Sequence, residues 1–353
     1  MKKRIGIIGV GVIANAMHIP GYLTHDNCEI TAICDINPEA LNKTNLRLKL
    51  SPDCLFTDYR DLLKSDLVDA VDICTSNDVH VPIAIQALKA GFPVSLEKPI
   101  GINFEETKEL EKVSKETGLP VFICFSWRYR PFLRYMKYLA ENNELGNLFH
   151  IYARSIKNSG LWPNRKLEWR FQKDRAGSGV LCDLGSHLFD AIRFLGGDFE
   201  SISCDTGIFI KKRQLENSEE WGEVTTDDWS NVICTLKSGV GATVNVSRMA
   251  TTENERMEIE VYGEKGSMKF VSAEGKRKLY LCTGADVKTS TMREAEISAE
   301  FEATQSHSFV NMLLGKPDKY AANISEGLYS QVAVDAAILS HETGKHVKIS
   351  DMF

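Results

Sequence analysis

Through the first third of the chain, short apolar runs alternate with stretches whose apolar residues recur at helical spacing. RIGIIGV (4–10) has the continuous apolar character of a strand buried on both faces. CEITAICD (28–35), VDAVDICTS (68–76), FPVSLEKP (92–99) and LPVFICFS (119–126) repeat it. Between them lie NPEALNKTNLRL (37–48), opening on an Asn–Pro helix start, and DVHVPIAIQALKAG (78–91), closed by Gly91. NFEETKELEKVSKETG (103–118) is a further helix, capped by Asn103 and Gly118. NAMHIPGYL (15–23) is expected to be helical only as far as Pro20 permits. This rhythm predicts an α/β fold with a doubly wound parallel sheet, which binds ligands beyond the carboxyl ends of its strands.

From about residue 125 the pattern changes. NLFHIYARSIKN (147–158), SISCDTGIFIKK (201–212), WSNVICTLKSG (229–239), GATVNVSRM (241–249), ERMEIEVYGEKG (255–266) and SMKFVSA (267–273) alternate apolar and polar positions between Gly-containing turns. Clustered strands of this kind predict a mostly antiparallel sheet packed on one face. The expected division is a dinucleotide-binding domain over 1–124 and a substrate-binding and oligomerisation domain over 125–353. The length of 353 residues is enough for both.

Composition narrows the function classes. Hydrophobic residues at 43% and charged residues at 25% describe an ordinary globular chain. A net charge of -6, with basic runs no longer than KKR (211–213), argues against a large nucleic-acid footprint. Nine cysteines scattered without a C-x-x-C pair suit reduced thiols in the cytoplasm. Cys182 lacks a nearby basic partner in sequence and is expected to be a small core residue rather than a nucleophile. MKKR followed by IGIIGVGVIANA imitates an export signal, but Gly6, Gly9 and Gly11 break the apolar stretch at spacings suited to another purpose. No run is long enough for a bilayer, so a cytoplasmic protein with no membrane partner is expected.

That other purpose is a phosphate cradle. GVGVIA (9–14) follows a strand and opens a helix, and Asp35 closes the next strand roughly 20 residues on, the full context of a dinucleotide fingerprint. Gly9 permits the tight turn, Gly11 lets the backbone approach a pyrophosphate, and Ala14 keeps helix and sheet close, with Val12 and Ile13 between them. Asp35 is placed to bind both ribose hydroxyls. It would repel a 2′-phosphate, and neither Ile36 nor Asn37 supplies a cation, so NAD is preferred over NADP. At the next strand end, Thr75, Ser76, Asn77 and His80 face the same crevice, though His80 equally suits capping or packing. Glu97, Lys98 and Pro99 end the fourth strand; a cis bond before Pro99 would aim Lys98. A lysine in a turn is usually only a surface residue. Here its ammonium would hydrogen-bond a substrate oxygen and stabilise alkoxide character.

SGVLCDLGSHLFDAIRFLGG (178–197) sets Asp183, His187 and Asp190 at offsets of four and three, one helical face. As a metal site the trio lacks a further well-spaced ligand, and no metal is expected. As structure, Asp183 would cap a helix and Asp190 would pair with Arg193. As an acid–base device, His187 has the near-neutral pKa needed to accept a hydroxyl proton. The cradle favours that last reading for Asp183 and His187, while Asp190 is expected to be structural. Trp162, Arg165 and Trp169 could bind a polyol or simply pack; Arg154 and Lys157 could meet a substrate anion or water.

With GVGVIA, Asp35, EKP and D-x-G-x-H-x-x-D in this order, the chain resembles the glucose–fructose oxidoreductase, inositol dehydrogenase and rhizopine-catabolism (Gfo/Idh/MocA) family. EWRFQKDRAGSGVLCDLGSH (168–187) and EGLYSQVAVDAAILSHETGKHV (326–347) extend the resemblance along nearly the whole chain. It implies an N-terminal Rossmann domain and a C-terminal α+β domain with a large open, mostly antiparallel sheet. It also implies Lys98, Asp183 and His187 as the catalytic set, without fixing which accepts the proton. Gly9, Gly11, Ala14, Asp35, Ser76, Glu97, Lys98, Trp169 and Arg170 are implied near the cofactor. Ser178 stands where the family often has a third consecutive glycine. SWRYRP (126–131) follows the family only loosely, so substrate contacts do not transfer.

The expected function is an NAD(P)-dependent oxidoreductase moving hydride between nicotinamide and a secondary hydroxyl or ketone of a sugar, inositol or related polyol. Two alternatives keep the same cradle: a redox-neutral lyase or glycosidase using transient oxidation, and a non-catalytic NAD-binding sensor. A homodimer or homotetramer is expected from the resemblance alone.

Overall fold

The computed structural model describes residues 2–162, 164–216 and 218–353. Its two units are Met1–Tyr129 with Ala303–Leu328, and Arg130–Glu302 with Tyr329–Phe353. In the first, the apolar runs become β1 (Lys3–Ile8), β2 (Cys28–Cys34), β3 (Leu55–Phe56), β4 (Ala70–Ile73), β5 (Val94–Glu97) and β6 (Val121–Cys124). Helices α1 (Ile19–Leu23), α2 (Pro38–Leu48), α3 (Tyr59–Lys64), α4 (Asn77–Lys89) and α5 (Phe104–Thr117) lie between them in the chain. The sheet order β6-β5-β4-β1-β2-β3 is all parallel, that of a doubly wound nucleotide-binding sheet. Ile5, Ile7, Ile33, Val71, Ile73, Leu96 and Ile123 are wholly buried, which explains why these strands read as unbroken apolar runs. Asn37 and Asn103 cap α2 and α5 by accepting from the Glu39 and Glu106 N–H groups.

Three features differ from expectation. The first helix does not stop at Pro20: it runs from Val12 to Leu23 through a π-turn at Ala14–His18. Ile19 N–H bonds the Ala14 carbonyl across the wider turn, and Pro20 falls in the first turn of the α-helical part, where its missing N–H costs little. Strand β3 and helix α3 were too short to leave a periodic signal. The boundary falls at Tyr129 rather than 124, and Ala303–Leu328 returns to the first unit. There β17 (Ala322–Asn323) pairs antiparallel with β6, so main-chain hydrogen bonding draws the late segment back.

The second unit carries α6 (Pro131–Glu141), β7 (Leu148–Ile156), the short α7 (Lys173–Ala176), α8 (Ser186–Gly196), β8 (Phe199–Gly207), β9 (Lys212–Gln214) and β10 (Trp221–Glu223). Strands β11 (Trp229–Leu236), β12 (Gly241–Ser247), β13 (Arg256–Gly263), β14 (Gly266–Ala273), β15 (Lys276–Thr283), β16 (Arg293–Glu294) and β18 (Val347–Lys348) follow. Nine of them form one sheet, β16-β15-β14-β13-β7-β12-β11-β8-β18, antiparallel except between β7 and β12. Along β11 to β13 every second side chain is buried, as the alternation required. Helix α8 packs on β7 and β12. Its last glycine lies close to the sheet: a Cβ on Gly196 would stand 2.7 Å from a terminal methyl of Leu236 and 2.8 Å from one of Ile151.

Candidate active site

The turn after β1 is built for close approach. Gly9 has φ +90°, and a Cβ there would stand 2.7 Å from the Cys74 carbonyl oxygen, so only glycine fits. Gly11 differs, because a Cβ there would meet nothing within 4 Å. The chain itself does not demand glycine at 11; a ligand occupying the open space would. Val12 is 89% exposed and Ile13 is also exposed, whereas Ala14 is wholly buried against the sheet. Asp35 accepts the Val10 N–H at Oδ2 and the Asn37 N–H at Oδ1, each at 2.9 Å, tying the cradle to the end of β2. A carboxylate has about four lone-pair sites, so both oxygens can still accept ribose hydroxyls. Open space before Gly11, a helix N-terminus and a half-exposed carboxylate together fit a dinucleotide.

Thr75 and Ser76 follow β4, and Asn77 begins α4. His80 resolves its two readings. It is buried, with Nδ1 2.8 Å from the Pro99 carbonyl and Nε2 3.2 Å from the Thr75 carbonyl, so it braces two loops. Burial lowers its pKa. The Lys98–Pro99 bond is cis. Lys98 donates its main-chain N–H to Glu97 Oε2 at 3.1 Å. The Glu97 carboxylate is itself buried, and its Oε1 lies 2.8 Å from His18 Nε2. Sequence reasoning missed His18 and Asp72 as members of this site. The one signal was position: His18 lies on the cradle helix, four residues beyond Ala14.

In the second unit, residues 180–196 are helical, with a π-turn at Leu181–Gly185 continued by α8. Its start is held by Asp227, whose carboxylate accepts the Gly179 and Leu181 N–H groups. Asp227, separated widely in sequence, left no local signal. Asp183 is 38% exposed and its Oδ2 accepts from Lys157 Nζ at 2.7 Å, so that lysine meets a carboxylate of the protein. His187 is 7% exposed and Asp190 is buried. Arg193 donates to Asp198 at 2.8 Å, a carboxylate that the sequence did not single out as its partner. Cys182 is buried and its thiol is pushed up to about 12 by desolvation, which makes it inert. Trp169 lies in a 3₁₀ turn with the Arg170 guanidinium 4.3 Å from its ring. Trp162 is 56% exposed beside an open hollow of about 510 Å³ that Arg165, Lys166 and Glu168 also line. Arg154 is exposed on β7.

Among the described residues, two buried groups have the side chains of a metal site: His18 with Asp72 and Cys74, and His18 with Glu97 and Cys124. The geometry suits hydrogen bonds better. Ligands of a tetrahedral zinc, with bonds of about 2.0–2.2 Å, stand roughly 3.3 Å apart, whereas the nitrogen–carboxylate distances are 2.7 and 2.8 Å.

Known proteins agree with this architecture. Residues 3–125 match an oxidoreductase family with an NAD-binding Rossmann fold, and residues 133–269 match the GFO/IDH/MocA C-terminal domain. A glucose-6-phosphate 3-dehydrogenase of Bacillus subtilis is 30% identical over 269 residues, 76% of this chain and 74% of that one. A levoglucosan dehydrogenase of Pseudarthrobacter phenanthrenivorans is 28% identical over 250 residues, 67% of this chain and 64% of that one. A levoglucosan dehydrogenase structure in complex with NADH and L-sorbose superposes with a TM-score of 0.90 at 23% identity, covering 99% of both chains. The chain therefore belongs to the Gfo/Idh/MocA oxidoreductase family and carries its NAD-binding Rossmann fold.

Proposed function

We propose that the protein is an NAD-dependent dehydrogenase acting on a secondary hydroxyl of a sugar, inositol or related polyol, or on the corresponding ketone. The observation that carries this is the cradle: Gly9 forced by the Cys74 carbonyl, Gly11 facing open space, and Asp35 fixed at the next strand end. NAD, when bound, accepts or returns two electrons and a hydrogen at its nicotinamide ring. The backbone from Gly9 to Ala14 holds the pyrophosphate, with Val12 and Ile13 beside it; Asp35 binds the adenosine ribose and disfavours a 2′-phosphate. Thr75, Ser76 and Asn77 border the cofactor from the end of β4, with Trp169 and Arg170 assigned near it. Lys98 hydrogen-bonds the substrate oxygen through Nζ and stabilises its alkoxide character. His187, whose Nδ1 is enclosed, takes the hydroxyl proton at Nε2. Asp183, steadied by Lys157, orients the substrate or the imidazole. Trp162 offers a face on which a sugar ring can stack. A cytoplasmic homodimer or homotetramer is the form this reading assigns.

The relatives named as sugar dehydrogenases support the substrate class. Purified protein incubated with NAD and a panel of sugars and polyols tests it by absorbance of the reduced cofactor. Reduced cofactor forming with one of them is the expected result. Sugar conversion without net reduced cofactor would instead assign a redox-neutral lyase, and NAD binding with no sugar converted would assign a sensor.

A further inference from the structure

Beneath the loop of Lys98 lies a buried polar cluster that the proposed chemistry does not use. His18 is 1% exposed, on the cradle helix. Its Nδ1 stands 2.7 Å from Asp72 Oδ2 on β4, and its Nε2 stands 2.8 Å from Glu97 Oε1 at the end of β5. Two thiols complete the surroundings: Cys74 Sγ lies 3.4 Å from Nδ1, and Cys124 on β6 belongs to the same buried group. Tyr22, from the same helix, is buried nearby, and the side-chain amide of Gln305 on α9 (Gln305–Leu313) lies 2.9 Å from Nε2. Carboxylates only accept, so both ring nitrogens can be satisfied together only if both carry a proton. Gln305 then faces the ring with its oxygen, the orientation in which it too accepts.

We infer that His18 is a positioning residue: as a cation bridging Asp72 and Glu97, it fixes the Glu97 carboxylate and through it the main chain of Lys98. The inference rests on the role given to Lys98 above. The mechanical link is short. Glu97 uses one oxygen for His18 and the other for the Lys98 N–H, while His80 holds the Pro99 carbonyl. Desolvation is the largest influence and alone would make the ring neutral, but the charge and hydrogen bond of Asp72 together with the contact to Cys74 outweigh it and hold the pKa well above the ordinary histidine range. The neighbouring thiols carry no charge, because burial pushes Cys74 up to about 12 and holds Cys124 well above the ordinary thiol range. The bridge is therefore intact below that raised pKa and is lost as pH rises through it.

Selective ¹⁵N labelling of histidine on the intact protein tests the bridge without any activity assay. The signals absent from His18→Gln should show a ring protonated at both nitrogens well above the ordinary histidine pKa. A neutral ring, or titration near the ordinary value, overturns the inference. Kinetics test the positioning role. His18→Gln should lower kcat by about 10²-fold, the scale of a misplaced catalytic group, while NAD affinity stays nearly unchanged. Asp72→Asn should keep more of its turnover at acidic pH and lose it at a lower alkaline pH than the parent. A lowered melting temperature with unaltered kcat and pH profile would mean a merely structural cluster and overturn the inference. Lys98→Ala with full turnover overturns the assigned lysine role instead; an inactive Lys98→Ala beside a fully active His18→Gln overturns the bridge alone.

Discussion

Gly9 and Gly11 share a motif but answer to different constraints. At Gly9 the protein imposes the residue, through a left-handed φ and the Cys74 carbonyl. Gly9→Ala should cost about 1–3 kcal/mol or more, read as a lower melting temperature without ligand. At Gly11 no protein atom objects, so Gly11→Ala should leave the melting temperature of the free protein nearly unchanged and weaken NAD binding, measured by calorimetry. Asp35→Ala should weaken NAD binding too, but also loosen the fold, since Val10 and Asn37 lose their acceptor. For the chemical step, Lys98→Ala or His187→Ala should lower turnover by about 10²–10⁴-fold, the usual scale for a lost acid–base group. The cradle was legible in the sequence because its parts are local: glycines, helix and acid within one strand–helix–strand unit. Glu97 was singled out beside Lys98, but its bridge through His18 to Asp72 was not legible, because the three come from a helix and two strands that only the folded sheet brings together.

Two elements open with π-turns, Ala14–His18 beside the cradle and Leu181–Gly185 before α8. No periodicity of apolar residues distinguishes a single π-turn from an α-turn, so apolar spacing predicts helices here without their bulges. The second opening depends on close backbone packing. A Cβ on Gly179 would fall on the Asp227 carbonyl oxygen, and both the Gly179 and Leu181 N–H groups end on the Asp227 carboxylate. Gly179→Ala should therefore displace the segment that carries Asp183, seen as lost thermal stability together with lost turnover. Lys157 was legible only as a strand cation with an open role. Its pairing with Asp183 needs the strand–helix geometry of the second unit.

At the scale of the whole chain, sequence pattern separated a parallel sheet from a mostly antiparallel one, because burial on two faces and on one leave different alternations. It did not reveal that Ala303–Leu328 rejoins the first unit, since β17 is two residues long and owes its place to main-chain bonds with β6. The activity proposed for this chain is the transfer of a carbinol hydrogen onto NAD. A polyol carrying deuterium at its secondary carbinol carbon, incubated with NAD and the purified protein, tests it most directly. Deuterium should appear at C4 of the nicotinamide in the reduced cofactor, and Lys98→Ala should nearly abolish the transfer. Bound NAD that stays unlabelled while the polyol is consumed, or while none is consumed across the panel, would contradict it.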